Sequence, residues 1–143
     1  EADCMAGALD DIRILDLSRV IAGPFGTSLL GDLGADIIKV ELPGRGDDGR
    51  YGFPSVDGVP VAFKALNRNK RGITIDMRKP EGAALVRRLV TRVDVVVENF
   101  SAGTMERWGL GYETLAALNP RLIYAALSGF GQTGPYADRT SYD

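Results

Sequence analysis

The chain has 143 residues, 45% of them apolar and 25% charged, with a formal net charge of −2. That length and balance fit one globular domain with a real core, argue against disorder, and supply no global field to recruit nucleic acid or an anionic membrane. Histidine is absent and Cys4 is the single cysteine, which excludes a His-based triad, a His general base and an internal disulfide. Almost nothing remains to bind zinc, so no metal is expected. One cysteine suits a reducing, cytoplasmic compartment.

Residues 1–8 are read as leader residues outside the fold, with Glu1-Ala2-Asp3-Cys4 preceding Met5. No charged-apolar-small signal pattern opens the chain, and no apolar run reaches the roughly 20 residues that span a bilayer. Ile12-Arg13-Ile14-Leu15-Asp16-Leu17 reads as a strand. A helix follows, with Pro24 at its first position and its end near Gly31 or Gly34. Asp36-Ile37-Ile38-Lys39-Val40-Glu41 is a second strand, completing a βαβ unit. Residues 43–60 are rich in Gly, Pro and Asp and read as a long irregular loop.

Further on, Gly72-Ile73-Thr74-Ile75-Asp76 reads as a strand. Pro80 then opens a helix carrying Ala84, Leu85, Leu89 and Val90, with Glu81 complementing its dipole. Asp94-Val95-Val96-Val97-Glu98 has the near-continuous valine of a strand buried on both faces. Short helices at 104–108 and 112–118 precede a last strand at 122–127. Strands alternating with helices predict an α/β, Rossmann-like, mostly parallel sheet with helices on both faces. The chain stops straight after a loop, which reads as truncation of a longer protein.

In an open parallel sheet, ligands bind beyond the carboxyl ends of the strands. Basic residues gather there: Arg19, Arg45, Arg68, Lys70, Arg71, Arg78 and Arg107. Together with the free N–H groups of the first helix they suit a phosphate-bearing ligand; taken singly, each also reads as a solvated surface charge. Two glycine patterns, Gly44-Arg45-Gly46-Asp47-Asp48-Gly49 and Gly129-Phe130-Gly131-Gln132-Thr133-Gly134, read as false dinucleotide fingerprints. Neither opens a helix, and Asp47 and Asp48 would repel phosphate. Glu41, at the end of the second strand, keeps nicotinamide binding open as a minority reading. Ser128 lacks a histidine to activate it, and Asp94 and Glu98 read as polar strand ends. Trp108 and Phe100 read as core residues, although Phe100 could cover an adenine.

Five ordered blocks then carry a resemblance. They are Leu15-Asp16-Leu17-Ser18-Arg19-Val20-Ile21-Ala22-Gly23-Pro24, Leu33-Gly34-Ala35-Asp36-Ile37-Ile38-Lys39-Val40-Glu41, Asn67-Arg68-Asn69-Lys70-Arg71, Val97-Glu98-Asn99-Phe100 and Gly129-Phe130-Gly131-Gln132-Thr133-Gly134-Pro135-Tyr136. Residues 9–143 resemble the N-terminal, CoA-binding portion of family III CoA-transferases and the related α-methylacyl-CoA racemases. The resemblance implies an incomplete Rossmann-like large domain from a ring-shaped chain that interlocks with a second copy as a homodimer. It implies coenzyme A, as an acyl-CoA, lying across the strand ends, and a carboxylic acid as acceptor; no nucleic acid or membrane partner is expected.

By position, Arg19, Val20, Ile21 and Ala22 would line the cofactor beside the first helix. Ile75, Met77 and Arg78 would flank the adenosine and phosphates, Asn99, Phe100 and Arg107 would complete that pocket, and Tyr142 would lie near the thioester. No catalytic residue falls within the chain, because the family's nucleophilic aspartate lies beyond residue 143; that aspartate would form an acyl anhydride and then an aspartyl-CoA thioester. Departures from the family pattern are Leu42 where many members carry Arg, Ile21 where some carry a polar residue, and Thr140-Ser141-Tyr142 for a more usual Pro-Gly-Tyr. A racemase needs a His/Asp pair, and its histidine would fall at Tyr142, whose ordinary pKa near 10 makes a poor base. Transferase is therefore the first reading. Racemase and a non-catalytic nucleotide-binding module are the alternatives.

Overall fold

A computed structural model describes residues 7–141. Residues 1–6, Tyr142 and Asp143 fall outside that range. Strands β1 (Arg13–Asp16), β2 (Asp36–Glu41), β5 (Lys70–Thr74), β6 (Val95–Glu98) and β7 (Ile123–Ala126) form one sheet in the order β5-β2-β1-β6-β7. Every neighbouring pair is parallel. Helices α1 (Ala22–Asp32), α3 (Pro80–Val90) and α5 (Tyr112–Leu118) connect them, with a short α4 (Thr104–Arg107) after β6. The expected α/β sheet is present.

Adjacent strand residues feed opposite faces, as the period of two requires. Leu15 and Val96 point into a larger cluster with Val86 and Val90 of α3, Met105 of α4 and Leu115 of α5. Ile14 and Val97 point into a smaller one with Ile37 and Leu30 of α1. Both faces are covered, which is why these strands lack polar alternation. β1 is central, and the chain leaves it for β2 on one side and reaches β6 on the other. The carboxyl ends of β1 and β6 therefore meet at the point where strand order reverses, where open α/β sheets form their crevice.

The boundaries correct several expectations. Pro24 is the third residue of α1, since the helix starts at Ala22 and its first bond runs from Phe25 N–H to Ile21 C=O. The first helical N–H groups have no intrahelical acceptor, so proline sacrifices nothing there. Pro80 does stand at the first turn of α3.

β5 begins at Lys70 rather than Gly72, because the Lys70 ammonium is drawn into the interior to meet Asp16. Residues 43–60 are also more ordered than expected. They hold a 3-10 helix (Asp48–Tyr51) and a hairpin of β3 (Ser55–Val56) and β4 (Val59–Pro60). Its turn residues Asp57 and Gly58 have φ of 54° and 75°, the pattern that selects Asp-Gly in two-residue hairpins. A short helix, α2 (Val61–Leu66), follows where none was anticipated.

Candidate functional site

A cleft opens over the carboxyl ends of the strands. Its apolar lining comes from Leu17 after β1, Val40 and Leu42 at β2, Ile75 and Met77 after β5, and Phe100 and Trp108 after β6. The charged residues of its lining are Arg19, Arg78, Glu41, Asp47 and Asp76. Phe100 and Trp108 meet edge to face, 5.1 Å between centroids, and the Arg19 guanidinium lies 4.9 Å from the Phe100 ring centre. An apolar floor with charged edges suits an amphipathic, anionic ligand.

The sequence-predicted residues divide into groups. Arg19, Ile75, Met77, Arg78 and Phe100 line the cleft together. Val20, Ile21 and Ala22 are exposed beside it, where β1 turns into α1. The side chain of Asn99 faces backbone instead: its Oδ1 accepts from Arg19 N–H at 2.8 Å and its Nδ2 donates to Arg19 C=O at 2.8 Å. This couples the ends of β1 and β6 across the switch point. Arg107 donates to Thr104 Oγ1 at 2.7 Å, just before the cleft residue Trp108. Tyr142 lies outside the described residues.

The basic cluster is largely consumed internally. Arg78 forks onto Asp76 at 2.8 and 2.9 Å, Arg45 pairs with Asp48, Arg68 with Asp32, and Arg71 with Asp36. The Arg78 bonds hold Asp76 below the ordinary carboxylate range. Arg107 has no carboxylate partner among the described residues. Glu41, the minority ribose candidate, is tied to Arg50 at 2.6 and 2.8 Å and to the Asp47 N–H at 2.9 Å. Those bonds, with Arg50 foremost, lower its pKa.

Two buried ion pairs behind the cleft were missed. Asp16 Oδ2 accepts from Lys70 Nζ at 2.9 Å and from Thr27 Oγ1 at 2.7 Å, while Oδ1 accepts from the Ser18 N–H and hydroxyl. Burial lowers the Lys70 pKa, opposed by the Asp16 charge. Lys39 Nζ donates to Ser18 C=O at 2.9 Å and lies 2.9 Å from Asp47 Oδ2, off the line a hydrogen bond prefers. Burial is the largest single influence on the Asp47 carboxyl and would raise it, but the Lys39 ammonium and the Gly49 and Val20 N–H groups together outweigh it and the pKa falls. The signal was available: Asp16 and Lys39 are charges inside otherwise aliphatic strands, and such charges persist only when paired.

The profile of CoA-transferase family III matches residues 9–143. A succinyl-CoA–D-citramalate CoA-transferase from Chloroflexus aurantiacus is 56% identical over 135 residues, covering 94% of this chain and 34% of that protein. A succinate–glutarate CoA-transferase from Agrobacterium fabrum is 52% identical over 142 residues, covering 94% of this chain and 36% of that one. Among solved structures, a CAIB/BAIF family protein from Brucella suis superposes with a TM-score of 0.90 at 50% identity, over 96% of this chain and 38% of that one. The chain thus spans about a third of the length of the curated relatives it matches. With the family's profile running from Leu9 onward over a sheet of the same shape as a known relative's, the chain belongs to CoA-transferase family III.

Proposed function

We propose that this chain supplies the CoA-holding part of an enzyme that moves coenzyme A from an acyl-CoA thioester to a carboxylic acid. The observation that carries this is the cleft at the switch point, apolar within and edged by Arg19 and Arg78. Ile75, Met77, Phe100 and Trp108 receive the adenine, and Arg78 and Arg107 receive the phosphates. Arg19, Val20, Ile21 and Ala22 guide the pantetheine arm toward the thioester end, where Tyr142 belongs. Asn99 serves this site through the Arg19 backbone it holds. The names of the relatives point to succinyl-CoA as donor and a short dicarboxylic acid as acceptor.

The chemistry is that of a carboxylate nucleophile lying beyond residue 143. It adds to the acyl carbonyl and expels CoA thiolate, leaving a mixed anhydride. The thiolate then attacks the aspartyl carbonyl and releases the donor acid, leaving an aspartyl-CoA thioester. The acceptor carboxylate reverses both steps and departs as the new acyl-CoA. The residues described here hold the CoA while its sulfur leaves and returns, and the enzyme works as a homodimer of interlocked chains.

The test is titration calorimetry with free CoA on the protein at the relatives' full length. A charge-assisted phosphate contact is worth about 1.5–3 kcal/mol, so Arg78→Ala and Arg107→Ala each weaken CoA by about 10-fold or more. Unchanged affinity in both variants rejects the assignment.

A further inference from the structure

We infer that Asp47 is a positioning residue, holding residues 18–21 in the backbone shape that meets the pantetheine arm; this rests on the CoA-binding reading above. Asp47 is 1% exposed and offers no carboxylate to solvent. Its Oδ1 accepts from Val20 N–H at 3.0 Å and from Gly49 N–H at 2.8 Å. Its Oδ2 faces the buried Lys39 ammonium at 2.9 Å.

The turn that Asp47 holds is unusual in two ways. First, its backbone polar groups are taken by side chains rather than by the sheet. Ser18 N–H goes to Asp16, Ser18 C=O to Lys39, both Arg19 groups to Asn99, and Val20 N–H to Asp47. Second, Val20 sits at φ 67°. That is left-handed backbone which a β-branched residue resists, and which persists only when its surroundings over-determine it. Val20 is 46% exposed, so packing of its own side chain is not what fixes it. Asp47 supplies the acceptor, and Lys39 keeps that carboxylate charged and aimed.

The feature explains why an acidic loop lies beside a site for an anionic ligand. Asp47 is turned inward and neutralised by Lys39, while Asp48 pairs with Arg45 and lies 3.7 Å from Arg19.

The experiment compares two variants that both remove the buried charges, in the full-length protein with free CoA as the probe. Lys39→Met/Asp47→Asn keeps an amide oxygen where Val20 N–H expects an acceptor, and CoA affinity stays within about 3-fold. Lys39→Met/Asp47→Ala removes the acceptor, and affinity falls about 10-fold, the scale of one hydrogen bond. Equal affinities in the two variants, high or low, overturn the proposal. Separately, Val20→Gly removes the resistance to φ 67°, so the melting temperature rises by about 1–4 °C; a fall overturns the proposal even if the alanine variant does not fold. Failure of the unsubstituted protein to bind CoA would instead strike the functional reading, leaving the melting result to decide the turn.

Discussion

The two buried ion pairs set the energetics of individual residues. Asp16 is fully buried and Lys70 almost so; removing one partner strands the other charge, at a cost of about 3–5 kcal/mol. Asp16→Asn is expected to destabilise by that amount in chemical denaturation, and adding Lys70→Met should recover most of it. The exposed Arg13–Asp36 contact at 2.8 Å is held in water-screened surroundings, so its loss costs under about 1 kcal/mol.

Glu98, at the end of β6, differs again. Burial raises its pKa above the ordinary 4.5, opposed by the Phe100 N–H bond to Oε2 at 2.7 Å. An acid whose folded pKa is raised favours the folded state most below its unfolded value. That contribution is lost as pH rises through the folded value. Glu98→Gln keeps an acceptor for Phe100 and removes the ionisation. Its stability relative to the unsubstituted protein should therefore rise between pH 4.5 and neutrality, and denaturation series across that range check it.

At the scale of elements, the helices start hard against the sheet. A Cβ on Gly82, in the first turn of α3, would lie 2.0 Å from the Asp76 carbonyl oxygen. Backbone cannot yield there as a side chain could, so Gly82→Ala should cost about 1–3 kcal/mol or more. Gly26, exposed within α1, has nothing within 4 Å of its Cβ position, and Gly26→Ala should stabilise by up to about 1 kcal/mol through helix propensity. Opposite signs for the same substitution in two helices, read by thermal melting, test whether α3 is docked as described. α1 itself buries Gly23, Pro24, Thr27 and Ser28 and turns Phe25 and Leu29 outward. The inward face is small and hydroxylic because Thr27 must reach Asp16.

At the scale of the whole molecule, those outward apolar residues join Val20, Ile21 and Leu33 as exposed surface. Among the described residues, strands β5 and β7 each have one sheet neighbour. Exposed apolar area of this kind normally means a missing partner surface, and an unpaired edge invites association. The 143-residue chain expressed alone is therefore expected to bind hydrophobic dye, to melt broadly, and to show no CoA transfer. A sharp, cooperative monomeric transition would contradict this, and so would turnover of succinyl-CoA by the isolated chain.

The sequence by itself determined the sheet. The aliphatic runs at β1, β2, β6 and β7 are long enough, and flanked by clear enough turn residues, that local preference and burial agree. It also carried the family and, through that resemblance, five of the residues that line the cleft, of which Arg19, Met77, Arg78 and Phe100 also stand at strand ends. Only the tertiary structure decided which charges face solvent. Lys70 looks like a surface lysine beside Arg68 and Arg71, and Lys39, although its aliphatic strand marks it as a charge that needs a partner, does not say which carboxylate that partner is. Their burial depends on Asp47 and Asp16, carboxylates 8 and 54 positions away in the chain that meet them only when the strands pair. The start of β5, the left-handed turn at Val20 and the inward Asp47 all follow from those meetings, which is why they could be seen only in the folded chain.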